Sequence, residues 1–359
     1  MDKLRILSFN VKGLGDKLKR EKIFNFTKQK VNEGIILLQE THSSREKCDS
    51  WSKEFDGNCF FNHGTSNSKG VAILLTLDQD YKVLKYEHDG EGRLQMLSIE
   101  LEDQKYLIVN VYNPNTEKEQ VAFLSKLNDA LTNFPDIFEH NIIIGGDFNF
   151  IYDILLDADG GNPSLKLKSI TEINNIKITF DLCDIFRVRF PNTKRFSFRQ
   201  KTPKLSRRLD HFLISESLQD SVEKIDILES IASDHSPVFL SIKRINDLDS
   251  GPRYWKCNNY LLQNNIFCDD LREMITAFNK NNTHITDQQV RWELLKFELR
   301  EFSIKFSKKL ANKKREKAIF LENIVKDFET KSKTHSIYNE EIYLESKSEL
   351  EQLHDRITQ

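Results

Sequence analysis

Six apolar runs in this 359-residue chain are each followed or led by residues suited to holding a metal ion or a phosphate. Residues 4–9 end in Asn10, and residues 35–39 end in Glu40, with Thr41 and His42 behind it. Residues 106–111 lead to Tyr112, Asn113 and Pro114. Residues 142–144 run through Gly145 and Gly146 into Asp147, Phe148 and Asn149. Residues 208–214 carry Asp210 and His211, and residues 238–242 follow Ser233, Asp234 and His235. One Asn or Asp after a strand is an ordinary turn residue. A carboxamide, several carboxylates, a phenol and an imidazole at successive strand ends make up the inventory for cleaving a phosphodiester.

Each residue type has a role in that chemistry. Glu40 can hold a hard divalent cation such as Mg²⁺, with Mn²⁺ as the alternative, because such ions take one or two carboxylates and keep their waters. Asn10 can fix a metal-bound water or a phosphate oxygen, and Asp234 is a second candidate metal ligand. Asp147 can orient or deprotonate the attacking water, and Asn149 can steady it or the phosphate. His235 serves either as a cation beside the phosphate or as a neutral base, with Asp210 setting its tautomer. Tyr112 can donate to a phosphate oxygen. The consecutive Ser233, Asp234 and His235 cannot form a serine relay, which needs groups converging in space.

The elements that must position these groups are mixed. Several apolar runs are continuous rather than alternating, as in strands buried on both faces. Residues 18–32 and 118–133 are spaced as helices, so the expectation is sheets flanked by helices. All seven prolines and all thirteen glycines lie at or before Pro252. Residues 253–359 contain neither and are compatible with uninterrupted helix. Leu295, Leu299, Phe302, Phe306 and Leu310 recur on one helical face, and a second helical stretch after 331–336 suggests a hairpin. The expected division is a first domain over 1–244, a polar linker over 245–252 and a helical extension over 253–359. Asp269 and Asp270 are expected to cap a helix beginning near Leu271.

Charge and cysteine usage narrow the class. The net charge is −2, so any nucleic-acid surface must be local. Arg187 to Arg208 holds nine basic residues and no acidic one, which suits a loop facing phosphates. Lys305 to Lys317 is a second basic stretch, equally compatible with a solvated helix face. No apolar run approaches the ~18 residues of a membrane span. The N-terminus lacks a signal-peptide core, so a nuclear or cytoplasmic, unsecreted protein is expected. Five scattered cysteines without a Cys-x-x-Cys pair are expected to be reduced thiols.

The blocks SFNVKGL (8–14), LLQETH (37–42), NVYNP (110–114), GGDFN (145–149), RRLDHFLIS (207–215) and SDHSPV (233–238) resemble, as a set, the endonuclease/exonuclease/phosphatase superfamily with its DNase I-like fold. Tyr112-Asn113-Pro114 and Ser233-Asp234-His235 look like its abasic-endonuclease branch. Arg253 to Asn258 is similar to the segment that follows the N-terminal endonuclease of non-LTR retrotransposon proteins, with Cys257 where an aromatic residue is usual. The resemblance implies a four-layered α/β sandwich followed by an α-helical C-terminal extension. It implies metal-dependent nicking of double-stranded DNA to leave a 3′-hydroxyl that primes reverse transcription. Asn10, Glu40, Tyr112, Asp147, Asn149, Asp210, Asp234 and His235 fall on the family's active-site positions, and Ser197 falls where this branch has a hydroxyl near the phosphate. Arg195, Arg199, Lys201, Arg207 and Arg208 are the expected DNA contacts, and the helical extension is a candidate contact for retroelement RNA. No polymerase is expected within 253–359, so the chain is expected to nick only. An abasic-site repair endonuclease and a non-catalytic nucleic-acid-binding remnant are the competing readings.

Overall fold

A computed structural model describes residues 3–65, 67–77, 81–243, 259–330, 337 and 339–358. The linker 245–252 and the segment Arg253–Asn258 lie outside the described residues. The chain divides into two units, Met1–Asn246 and Asp247–Gln359.

In chain order the first unit runs β1 (Lys3–Asn10), α1 (Lys17–Val31), β2 (Gly34–Gln39), α2 (Arg45–Phe55), β3 (Asn58–Asn62), β4 (Val71–Leu75), β5 (Tyr81–His88), β6 (Leu94–Leu101) and β7 (Gln104–Tyr112). It continues through α3 (Glu117–Asn133), β8 (Asn141–Asp147), α4 (Ile154–Asp157), β9 (Ala158–Asp159), α5 (Leu167–Phe180), β10 (Leu182–Asp184) and α6 (Ile185–Arg189). It ends with β11 (Phe198–Gln200), β12 (Leu205–Arg207), β13 (Asp210–Ser215), β14 (Val222–Ile227) and β15 (Val238–Lys243). One six-stranded sheet has the order β14-β15-β1-β2-β4-β3 and the other β10-β13-β8-β7-β6-β5. A small third sheet, β11-β12-β9, sits outside them in the topology.

These two sheets face each other, with helices outside both, which is the expected four-layered sandwich. Ile6, Leu37, Ile73, Ile108, Ile143 and Phe212 meet between the sheets. Alternate residues point the other way: Leu7, Phe9, Ile36 and Leu38 pack with Ile23, Phe24, Trp51 and Phe55 of α1 and α2. Leu107, Val109 and Ile144 pack with Leu124, Leu127, Ile173 and Ile176 of α3 and α5. Covering on both faces explains why β2 reads GIILLQ with every residue buried. Helix starts are set locally. Asp16 accepts from the Lys19 N–H, and Thr116 from the Glu119 N–H.

Polar groups cross the intersheet layer at one level. Gln39 of β2 donates to Ser8 Oγ at 3.1 Å and reaches across to Asn110 Oδ1 of β7 at 2.8 Å. Asn110 returns hydrogen bonds to the Leu38 and Ala72 carbonyls at 3.1 and 3.0 Å.

The structure corrects the expectation for Arg208. Its side chain is 1% exposed and binds Asp157 at 2.7 Å and Asp184 at 2.9 Å, so it is an interior cation and not a DNA contact. Despite burial, which opposes their charge, Arg208 holds both carboxyls below the usual range. His211, next to Asp210 in sequence, points to the opposite face and lies among Phe148, Phe150, Tyr152 and Asp184.

In the second unit, α7 (Asn265–Asn281), α8 (Gln288–Thr330) and α9 (Glu340–Thr358) account for the expected helical stretches. Phe267 of α7 packs on Phe302 and Phe306 of α8, and Phe328 stacks on Tyr343 of α9 at 4.5 Å. Asp269 and Asp270 lie inside α7 and do not cap it. The cap is Asn264, whose side chain accepts from the Phe267 N–H at 3.2 Å. An earlier start brings Phe267 into the helix and onto the aromatic cluster.

Removing Arg208 leaves Asp184 without its cation and Asp157 with Arg187 alone, so Arg208→Met should destabilise the first unit by about 3–5 kcal/mol at neutral pH. A depressed carboxyl contributes stability above its unfolded pKa, ~3.9, and loses it as pH falls through the folded value. The gap between wild type and variant in urea unfolding should therefore narrow as pH drops below about 4.

Candidate active site

Strand register brings the polar strand ends together. In β1 and β2, Asn10 pairs with Gln39, so Glu40 follows immediately beside it. In the other sheet Asp147 of β8 pairs with Tyr112 of β7 on one side and Asp210 of β13 on the other. Gly145 and Gly146 allow β8 to run there. A Cβ on Gly145 would lie 2.5 Å from the Phe212 ring, and one on Gly146 would lie 1.9 Å from the Val111 carbonyl oxygen. His235 precedes β15 and bridges to Phe198, whose ring lies 4.9 Å from the imidazole.

The Asn10 carboxamide is the link between sheets. Its Nδ2 donates to Glu40 Oε1 and to Asp147 Oδ2, both at 2.9 Å. Its Oδ1 accepts from the Lys12 N–H at 3.1 Å. Asn10 thus acts as a strut between two carboxylates. Tyr112 lies close enough to Glu40 to feel its charge. Burial, then the Glu40 charge, push the phenol far above its usual range, so it stays protonated and able to donate. Arg93 covers the Tyr112 ring at 5.0 Å and donates to the Tyr112 carbonyl.

Asp210 and His235 form the second half. Asp210 Oδ2 lies 2.8 Å from His235 Nδ1, which leaves Nε2 facing Asp147 Oδ2 at 3.9 Å. Burial works against the imidazolium, yet Asp210 and then Asp147 push His235 up to about 9. Burial first, then the like charge of Asp210, push Asp147 upward. Asp147 Oδ1 accepts from the Asn149 N–H at 2.9 Å, and Asn149 Nδ2 donates to the Asn113 carbonyl at 2.7 Å. Ser197 is fully buried. Its Oγ accepts from the Leu209 and Asp210 N–H groups at 3.0 Å, so it anchors Asp210 instead of presenting a hydroxyl outward.

The donors suit a hard divalent cation. One carboxylate or imidazole atom from each of Asp147, Asp210 and His235 lies within 4.8 Å of the others. Asp210 Oδ1 is buried without a hydrogen-bond partner. Glu40 adds a carboxylate 23% exposed at the rim. The carboxylate oxygens suit a hard divalent cation, and His235, held as a cation by Asp210, stands beside them as a donor and not as a ligand.

Asp234 stands apart from that group. Its carboxylate forms an ion pair with Lys12, and the Lys19 ammonium, which donates to the Lys12 carbonyl, also feels its charge. Of the expected DNA contacts, Arg195 is held by the Ile227 carbonyl and Asp226. Arg199 donates to Ser236 Oγ, and Arg207 to the Asp159 and Gly160 carbonyls. Lys201 is exposed between β11 and β12. Nothing in the sequence singles out Lys12, Arg93 or Lys166, and Asn113 stands out only as a strand-end residue without a role. Lys12 lies within the SFNVKGL block, but nothing in its spacing points to Asp234.

A cation entering at Asp234 must compete with Lys12. Lys12→Met should therefore tighten Mn²⁺ binding, measured by electron paramagnetic resonance, by up to about fivefold, the scale of a partly exposed ion pair. Unchanged affinity would mean that Asp234 takes no part in holding the metal.

Comparison with known proteins places these residues in a family. A profile of the Endonuclease/Exonuclease/phosphatase family matches residues 7–235. A Xenopus laevis protein described as "Transposon TX1 uncharacterized 149 kDa protein" is 27% identical over 98% of this chain, and the chain spans 27% of that protein's length. An exodeoxyribonuclease of Bacillus subtilis is 25% identical over 67% of this chain and 99% of its own. Among solved structures, the AP endonuclease of Leishmania major aligns with TM-score 0.58 at 17% identity, covering 68% of this chain and 89% of that one. An AP endonuclease from Archaeoglobus fulgidus aligns with TM-score 0.55 at 18% identity, covering 67% and 100%. These structures share the fold. No helix among the described residues is long and apolar enough to cross a membrane. With its two-sheet sandwich, its rim of Asn10, Glu40, Asp147, Asp210 and His235, and a family match across most of the first unit, the chain belongs to the endonuclease/exonuclease/phosphatase family of hydrolases.

Proposed function

We propose that this chain is a divalent-metal-dependent DNA endonuclease that cuts one strand and leaves a 3′-hydroxyl. The observation that carries the reading is the convergence of Asp147, the Asp210–His235 pair and Glu40 on one rim. Similarity to a transposon protein along nearly the whole chain supports a role in opening target DNA for a polymerase.

The residues divide the work. Glu40, with Asp147 and Asp210 as further oxygen donors, would hold Mg²⁺ or Mn²⁺, and such an ion would neutralise charge building up on the phosphate. Asp147, fixed by the Asn10 amide and the Asn149 N–H, takes a proton from the water that attacks phosphorus. His235, held as a cation by Asp210, donates from Nε2 to a non-bridging phosphate oxygen. Tyr112 donates to a second such oxygen. The phosphorus–O3′ bond breaks, O3′ takes up a proton from solvent, and the other end keeps the phosphate. Lys201 and Arg199, on the β11–β12 ribbon, face the duplex backbone, where they add affinity and salt dependence but no base readout. In the second unit Lys305, Lys309, Lys313 and Lys317 are exposed at every fourth position along α8, which suits a contact with element RNA.

A second reading is favoured by the two AP endonucleases among the structural neighbours: hydrolysis at abasic sites. The chemistry is shared, and the DNA-facing loops decide.

One assay separates these. Supercoiled plasmid incubated with the protein and Mg²⁺ should be nicked, with 3′-hydroxyl ends by end-group analysis. Nicking should stop with a chelator. Asp210→Asn and His235→Ala should each slow it by about 10²–10⁴-fold, the scale of a lost acid–base or charge-stabilising group. Metal-independent nicking, or nicking indifferent to both variants, would sink the proposal. Strong preference for an abasic over an intact duplex would install the second reading. Salt-dependent binding without any cleavage would instead support a non-catalytic remnant.

A further inference from the structure

Lys166 is a cation with an unusual pair of partners. It occupies the N-cap position of α5, where its own side chain makes no capping bond and Glu117 of α3 instead accepts from the Lys168 N–H. Its side chain turns inward and is half-buried, and burial lowers its pKa. Lys166 Nζ donates to the Asn149 carbonyl at 2.6 Å and to the Asn115 carbonyl at 2.7 Å. Among the described residues no carboxylate forms an ion pair with it, and nearby Glu117 is engaged by the Lys168 N–H. Two neutral carbonyls therefore hold a full positive charge, and Asp147 is the carboxylate that feels it most.

The Asn149 carbonyl is the junction. Asn149 has φ +52°, a left-handed conformation that Asn adopts more readily than most residues but still at a cost. That turn aims its N–H at Asp147 Oδ1 and its carboxamide at the Asn113 carbonyl. Its own carbonyl receives two donors, Lys166 Nζ and Gln120 Nε2 at 2.9 Å. Gln120 is itself fixed, donating to the Pro114 carbonyl and accepting from Ser169 Oγ. So α3 contributes Gln120, and Lys166 and Ser169 flank the start of α5, together bracketing the loop that carries Asn149. Lys166 spans the loops after β7 and β8, which end in Tyr112 and Asp147.

We propose that Lys166 is a positioning residue: its ammonium clamps the Asn115 and Asn149 carbonyls and so keeps the Asn149 N–H on Asp147 in the geometry needed for hydrolysis. This inference rests on the hydrolytic reading of the site. It does not make Lys166 a phosphate ligand, because the ammonium is spent on the protein's own carbonyls.

The test uses the 359-residue chain with Lys166→Met, which keeps the stem and removes the donors, and Lys166→Arg, which can still reach both carbonyls. Plasmid nicking by Lys166→Met should lose about 10–100-fold in kcat, the scale of a displaced catalytic group, with KM changed less than about twofold. Lys166→Arg should recover most of the loss. The slope of log binding constant against log salt should be the same in all three proteins, since a lost phosphate contact would lower it by about one. Hydrogen exchange at the Asn149 amide should speed up in Lys166→Met and return in Lys166→Arg. Unchanged kcat, or a raised KM with a smaller salt slope, would overturn the proposal. Should the wild type cut no DNA, the catalytic assignment fails, and the Asn149 exchange rate still decides the clamp by itself.

Discussion

Two carboxylates from opposite sheets meet at the rim, and one carboxamide makes that meeting tolerable. Glu40 and Asp147 bring two carboxylates together, and burial already disfavours the charge on Asp147. The Asn10 amide lies between them and donates one hydrogen to each. It screens their repulsion and ties the first sheet to the second at the end where chemistry is done. Everything else at the site is registered to Asp147: Tyr112 and Asp210 as its neighbours in the sheet, His235 across from it, and Asn149 two residues on.

This arrangement divides the candidate residues by how they serve. Among Asp147, Asp210 and His235, the Asp210 charge raises the proton affinity of both its neighbours. Asn10, Ser197 and Asn113 carry no charge and fix where the others stand. The second kind is fully buried, so its hydrogen bonds are made in low dielectric and leaving one unmade is costly. A rim built in this way is stiff in its frame and open in its loops.

Much of this was legible in the sequence because strands buried on both faces announce themselves as continuous apolar runs, and their ends are then easy to see. The runs at 4–9, 35–39, 106–111 and 142–144 all became strands at the centre of a sheet. Strands β5 and β14 lie at sheet edges, carry mixed exposed residues and gave no such signal. Charged side chains were the least readable. Arg207 and Arg208 are adjacent and chemically alike, yet one lies near the surface on backbone carbonyls and the other is walled in between Asp157 and Asp184. Lys12 and Lys166 were equally invisible, since a lysine's partner is chosen by tertiary approach and leaves no mark on spacing. Asn264 displaced the two aspartates as a cap because the helix begins where Phe267 can join the aromatic cluster.

The Gln39–Asn110 bridge beneath the rim has a consequence for how such a protein can change over time. Leu, Ile and Val facing one another across two sheets fit nearly as well in several slid arrangements, and apolar swaps of similar volume are tolerated. The Gln39 and Asn110 amides fit in only one, because a slip would strand the Gln39 donor and both ends of the Asn110 amide. A few polar atoms therefore act as a dowel, and the apolar residues around them are left free to be exchanged. With the alignment of the halves entrusted to the dowel, the core can drift almost wholesale while the cutting edge stays in true.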